Sequence, residues 1–117
     1  MNIESLREYC LSKNGVTEGF PFDETTLVFK VMEKMFLLTS LDDEFSISVK
    51  CDPEKAIELR ELYPAVIPGY HLSKKHWNTV FLDGSLSDSL IQSFIDHSYQ
   101  MVVQSLSKKQ QIGLSKK

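Results

Sequence analysis

From Phe45 to Cys51 apolar and polar residues alternate without a break: Phe45, Ile47, Val49 and Cys51 are separated by Ser46, Ser48 and Lys50. A period of two marks a strand with one face buried and one face wet. Directly after it stands Asp52-Pro53-Glu54. Asp52 can cap free helical amides, Pro53 suits the first helical position, and Glu54 complements the helix dipole. A half-buried strand that runs straight into a helix needs other strands beside it and helices over one of its faces.

The flanking sequence supplies both. Residues 3–13 read as a helix with Ile3, Leu6 and Cys10 on one face, stopped at Asn14-Gly15. Residues 15–25, with Gly15, Gly19 and Pro21, read as a loop in which Phe20 or Phe22 plugs the core. Strands are expected over 26–31 and 34–40, joined at Met32-Glu33, neither of which is a favoured hairpin residue. The turn Asp42-Asp43-Glu44 leads into the alternating strand, and the second helix runs to about Leu62, where Pro64 ends it. Residues 66–72 read as a short extended piece broken by Pro68-Gly69, and residues 77–82 as a fifth strand with Trp77, Thr79 and Phe81 on one face. Ser87 caps a long last helix whose stripe includes Leu90, Ile91, Phe94, Ile95, Val102, Val103 and Leu106.

The order α-β-β-β-α-β-β-α with short connections predicts an α+β, two-layer domain with a largely antiparallel sheet. One domain is expected over residues 1–106, followed by a basic tail over 107–117 that frays. With 42% hydrophobic and 25% charged residues the composition is that of a globular chain rather than a disordered one. No apolar run approaches the ~20 residues of a membrane span, and the acidic N-terminus has no signal core. Cys10 and Cys51 lie far apart, outside any Cys-x-x-Cys or Cys/His cluster, so they read as two buried thiols of a cytoplasmic protein without a metal.

The net charge is −3, but it is unevenly spread. Residues 1–61 hold thirteen acids and seven bases; residues 62–117 hold three acids and six bases. No carboxylate occurs from Leu62 to Leu82. Inside that window lies Tyr70-His71-Leu72-Ser73-Lys74-Lys75-His76-Trp77-Asn78. Lysines neutralise phosphates, aromatic faces stack on bases, and asparagine can bond a base edge. Nucleic-acid contact is therefore expected at Tyr70, Lys74, Lys75, His76, Trp77 and Asn78. The same residues also read as ordinary structure, with Trp77 in the core, Tyr70 on the sheet edge and the lysines as a solvated turn. Lys30 and Lys50 on the polar side of their strands could extend a basic face or protect edges, and Lys34 could join them.

Catalysis finds little support. Cys51 with His71 or His76 forms no known nucleophile motif, and the alternation turns Cys51 toward the core. Asp96-His97-Ser98 cannot form a triad, because neighbouring helix positions splay about 100° apart. Ser98 is expected against the sheet, with the Tyr99 hydroxyl on a backbone group. No phosphate loop, dinucleotide fingerprint or calcium loop is present. The chain is expected to be no enzyme, to need no cofactor and to be a monomer.

Several segments together resemble the bacterial MmcQ/YjbR family. They are Phe20-Pro21-Phe22, Val28-Phe29-Lys30-Val31, Lys34-Met35-Phe36 and Val49-Lys50-Cys51-Asp52-Pro53-Glu54. Tyr63-Pro64, Pro68-Gly69-Tyr70-His71, Lys74-Lys75-His76-Trp77-Asn78-Thr79-Val80, Asp96-His97-Ser98-Tyr99 and Val102-Val103 complete the set. The resemblance implies the same α+β order, a fold like that of type III secretion chaperones or a double wing, and DNA binding through the Lys74–Asn78 segment. It brings no catalytic residues. A protein- or peptide-binding adaptor that uses the sheet face or edge is the alternative, by analogy with the chaperones.

Overall fold

A computed structural model describes residues 1–69 and 72–116. In chain order it contains α1 (Ile3–Leu11), β1 (Val16–Gly19), β2 (Thr26–Val31), β3 (Lys34–Ser40), β4 (Ser46–Lys50) and α2 (Pro53–Leu62). Then follow β5 (Val66–Pro68), β6 (Trp77–Phe81), α3 (Asp88–Ser105) and α4 (Lys108–Ser115). The strands form one sheet in the order β1-β2-β3-β4-β6-β5, and every neighbouring pair is antiparallel. The fold is α+β with an antiparallel sheet, as the periodicities predict.

The helix starts are those the caps dictate. The Asp52 carboxylate accepts the Lys55 amide at 3.2 Å, and the Ser87 hydroxyl accepts the Leu90 amide at 3.2 Å. Asn2 and Ser5 form a reciprocal capping box at the start of α1.

Leu27, Phe29, Val31, Leu37, Ile47, Val49, Val66 and Val80 share one face of the sheet. Against them pack Leu6 and Cys10 of α1, and Ile91, Phe94, Ile95 and Val102 of α3. α3 lies mainly across β3 and β4, α1 on β1 and α2 on β5. Among the described residues, no helix of that core covers the opposite face, which carries Thr17, Lys30, Leu38, Ser48, Lys50, Trp77 and Thr79.

Three features depart from the reading of the sequence. Residues 16–19, expected as loop, form strand β1 on the sheet edge. Its short segment carries one apolar residue, Val16, so no periodicity announces it, and pairing with β2 makes it a strand. Phe20 and Phe22 do not plug the core: they are 48% and 63% exposed beyond that edge. The expected frayed tail contains α4, capped by a box between Ser107 and Gln110 and anchored by the buried Leu114.

The β2–β3 hairpin turns at Met32 and Glu33 with both φ angles positive, 49° and 69°. That is the requirement of the primed turn that suits two-residue hairpins, met here by two residues that ordinarily avoid it. In the same hairpin the register slips by one between Phe29 and Lys30, because Phe36 is an extra residue in β3. The bulge lets consecutive residues, Phe36 and Leu37, both face the core with no exposure.

Candidate nucleic-acid interface

The basic window becomes the connection between β5 and β6. Gly69 N–H donates to the Trp77 carbonyl at 2.9 Å and closes the base of the connection. A Cβ at Gly69 would stand 2.8 Å from the Trp77 Cβ, so only glycine permits this approach. Ser73 accepts the amides of His76 and Trp77 at 3.2 and 2.9 Å, and the His76 carbonyl accepts the Cys51 amide at 2.7 Å. The connection is thereby tied to the end of β4.

Arg60, in the last turn of α2, holds it from the helical side. Its Nε donates to Asn78 Oδ1 at 2.6 Å, and its Nη2 donates to the carbonyls of Trp77, at 3.3 Å, and Lys74. Asn78 Nδ2 in turn donates to the Ala56 carbonyl at 3.4 Å.

This geometry sorts the expected site residues. Lys74 and Lys75 are exposed and His76 is half-buried. Trp77 is 9% exposed and Asn78 only 1%. Asn78 is therefore no base reader: it lies in β6 with both ends of its amide engaged by α2. Trp77 is buried, as its reading as a core residue expects, but on the helix-free face beside Lys50 rather than in the cluster under the helices. Tyr70, expected at the site, and His71 lie outside the described residues. Arg60 went unassigned in the sequence, where one arginine near a helix end carries no signal until Asn78 is seen to be buried beside it.

Lys30 and Lys50 both lie on the helix-free face, Lys30 paired with Met35 and Lys50 with Trp77. Among the described residues, ion pairs join the N-terminus to Asp88, Arg7 to Glu18 and Lys13 to Asp96, and none engages Lys30, Lys50, Lys74 or Lys75. Lys108 and Lys109 open α4.

The charges divide by sheet end. The segments 20–25, 41–45 and 82–87 all meet one end, and they carry Asp23, Glu24, Asp42, Asp43, Glu44 and Asp83 without a single lysine or arginine. The other end carries Lys30, Lys34, Lys50, Lys74 and Lys75 against Glu33 and Asp52. Over the acidic half of the helix-free face lies a trough of about 680 Å³. Its walls include Leu38, Ser48, Thr79 and Phe81, with Leu72 above them and Asp43 and Glu44 at the acidic end.

The groups considered for catalysis are occupied otherwise. Cys51 is 3% exposed, and burial pushes its thiol above the ordinary value against a smaller pull from Lys55. Burial likewise raises Cys10, to about 12. The segment Asp96-His97-Ser98-Tyr99 pins α3 to four places. Asp96 accepts from Tyr9 Oη at 2.6 Å and Lys13 Nζ at 2.5 Å. Burial tends to raise its carboxyl, but those two bonds outweigh it and hold the group below the usual range. His97 Nε2 accepts the Asp52 amide at 3.2 Å, Ser98 joins β3 and β4, and Tyr99 Oη donates to the Asn14 carbonyl at 2.7 Å.

The YjbR family model matches residues 11–101, most of the chain. The chain belongs to the YjbR family. It is 38% identical over 104 residues to the uncharacterized protein YjbR of Escherichia coli K12, covering 88% of each. To the uncharacterized protein YbdF of E. coli O157:H7 it is 38% identical over 109 residues, covering 92% of this chain and 89% of that one. Among solved structures, the DUF419 protein DR2400 of Deinococcus radiodurans superposes with a TM-score of 0.91 at 39% identity, over 97% of this chain and 88% of that one. A Pseudomonas syringae protein superposes with a TM-score of 0.75 at 28% identity, over 86% of this chain and 98% of that one. The YjbR model stops short of α4, while the likeness to DR2400 extends over nearly all of the chain.

Proposed function

We propose that this YjbR-family chain is a small non-catalytic protein that binds DNA through its basic sheet end, with Lys74 and Lys75 as the leading contacts and Lys30 and Lys50 beside them. The observation that carries the reading is the separation of charge between the two ends of the sheet. A net charge of −3 spread evenly would repel a polyanion. Gathered at the far end, the carboxylates instead orient the molecule, so that its lysines meet the phosphates first. Contacts of this kind position a protein on the backbone and carry no base preference.

Two buried thiols fit a reducing compartment, and the cytoplasm is the proposed location. No helix among the described residues is long and apolar enough to cross a membrane. The absence of catalysis belongs to the same reading: it is supported by the raised Cys51 thiol and the occupied Ser98 hydroxyl.

The test is fluorescence anisotropy with a labelled duplex across a salt series. Three to four phosphate contacts predict a slope of log K against log salt of about −3. Lys74→Ala/Lys75→Ala should weaken binding at least tenfold and flatten the slope by about 2. No binding at low salt, or an unchanged slope in the variant, would sink the reading.

The adaptor alternative is narrowed by the edges. β1 has four residues, and β5 has three and ends in Pro68, so neither edge offers a long ladder to a partner strand. A partner would have to use the face.

A further inference from the structure

The helix-free face has an acidic end, a basic end and a trough over its acidic half. A surface of this kind complements itself. Rotated by half a turn about an axis through its centre, its basic end lies over the acidic end of an identical surface, and its acidic end over the basic one. We propose that a second copy of this chain docks on this face in a two-fold, antiparallel arrangement. Lys30, Lys50, Lys74 and Lys75 of each copy then face Asp42, Asp43 and Glu44 of the other.

The symmetry is the argument. In an isologous interface each contact occurs twice, so a pair of opposite patches on one face gives two sets of attractions for a single docking event. The patches are separated by the length of β4, about 15 Å at the usual strand rise, farther than the Debye length of about 8 Å at physiological salt. Attraction within one chain is therefore largely screened, and the groups remain available to another chain. None of the four lysines has an ion-pair partner among the described residues. The floor of the trough offers the half-buried Leu38, Ser48 and Phe81, while Thr79, already buried, bonds the Ser48 hydroxyl at 3.1 Å. Those three side chains can be covered further by a second copy without stranding a charge. Opposite edges matter less here, because β1 and β5 are too short to extend the sheet sideways.

The inference goes beyond the nucleic-acid reading, because it makes the acidic end a contact surface and not only an orienting charge. Both occupy the same lysines, so duplex and second copy would compete.

Sedimentation velocity of the full chain at low salt tests it, with no nucleic acid present. The wild type should pass from 13.4 kDa to twice that mass as concentration rises, and return when salt is added. Asp43→Lys/Glu44→Lys and Lys30→Glu/Lys50→Glu should each be monomeric alone. Mixed in equal amounts they should form a heterodimer, because the intact lysine patch of one variant meets the intact acidic patch of the other. Circular dichroism of each variant confirms that it is folded. A wild type that stays at 13.4 kDa throughout, a variant that still dimerises alone, or a mixture that fails to pair would each overturn the arrangement. The two readings separate cleanly: Asp43→Lys/Glu44→Lys should lose the dimer yet bind duplex at least as well as the wild type.

Discussion

Ser98 of α3 accepts the backbone amide of Lys50 at 2.8 Å and donates the same hydroxyl to the carbonyl of Phe36. Phe36 is the extra residue of the β3 bulge, and Lys50 ends β4. The regular β3–β4 ladder covers only Leu37 with Val49 and Leu38 with Ser48, so the helix hydroxyl takes over where the strands part. A bulge leaves backbone groups without ladder partners, and a fully buried serine on the packing helix is the group that answers them.

Replacing Ser98 by alanine leaves a buried carbonyl and an amide unmatched. At about 1–3 kcal/mol for each stranded group, the loss should be about 2–6 kcal/mol. Urea denaturation measures it directly. A loss below about 0.5 kcal/mol, the usual effect of a surface change, would mean that the hydroxyl is not needed there.

The Met32-Glu33 turn should be open to improvement. Non-glycine residues held at positive φ are costly by roughly 1–2 kcal/mol each. Met32 packs against the core and should be kept, whereas Glu33 is exposed. Glu33→Gly is expected to raise stability by about 0.5–1 kcal/mol after the entropy of the added glycine is counted. A drop in the midpoint of thermal unfolding would contradict the reading of the turn.

His97 gives the fold a pH dependence. Burial first, and Lys55 second, hold its imidazole below the usual value, with Asp52 opposing them. Its neutral Nε2 accepts the Asp52 amide at the start of α2. The unfolded chain takes up this proton more readily than the folded one. The stabilisation is thus complete above about pH 6.5 and is lost as pH falls through the lower folded value. His97→Gln keeps an acceptor and removes the titration, so its stability should be flatter than that of the wild type as pH falls below about 6.5. Parallel curves for the two proteins would exclude the mechanism.

Arg60 should matter as a clamp. Arg60→Ala leaves Asn78 Oδ1 and the carbonyls of Lys74 and Trp77 without their donor. A loss of about 2–3 kcal/mol is expected, with faster hydrogen exchange at His76 and Trp77. Arg60→Lys should rescue little, since an ammonium cannot reproduce the planar fork. Full rescue by lysine would show that charge alone is needed.

Legibility in the sequence followed burial. Residues 45–54 declare a strand and a capped helix because alternation and capping are local. β1 and α4 escaped because each is fixed by contacts far along the chain: β1 by pairing with β2, α4 by the burial of Leu114. Asn78 misled for a related reason. Its neighbours Lys74 and Lys75 are exposed, yet the entry into β6 turns its amide inward to Arg60 and Ala56. The charge pattern was visible as an imbalance between chain halves, but the relevant division lies between sheet ends, which only the strand order reveals.

Among the described residues, the frame around the β5–β6 connection grips it by main-chain atoms: the amide of Gly69 and the carbonyls of Ser73, Lys74, His76 and Trp77. Such a grip is blind to the side chains at positions 74 and 75. Those two residues can be exchanged like a cartridge in a fixed holder, and a relative with other residues there could present a different chemistry at the same place. Position 69 has no such liberty, because the holder itself closes on the missing Cβ.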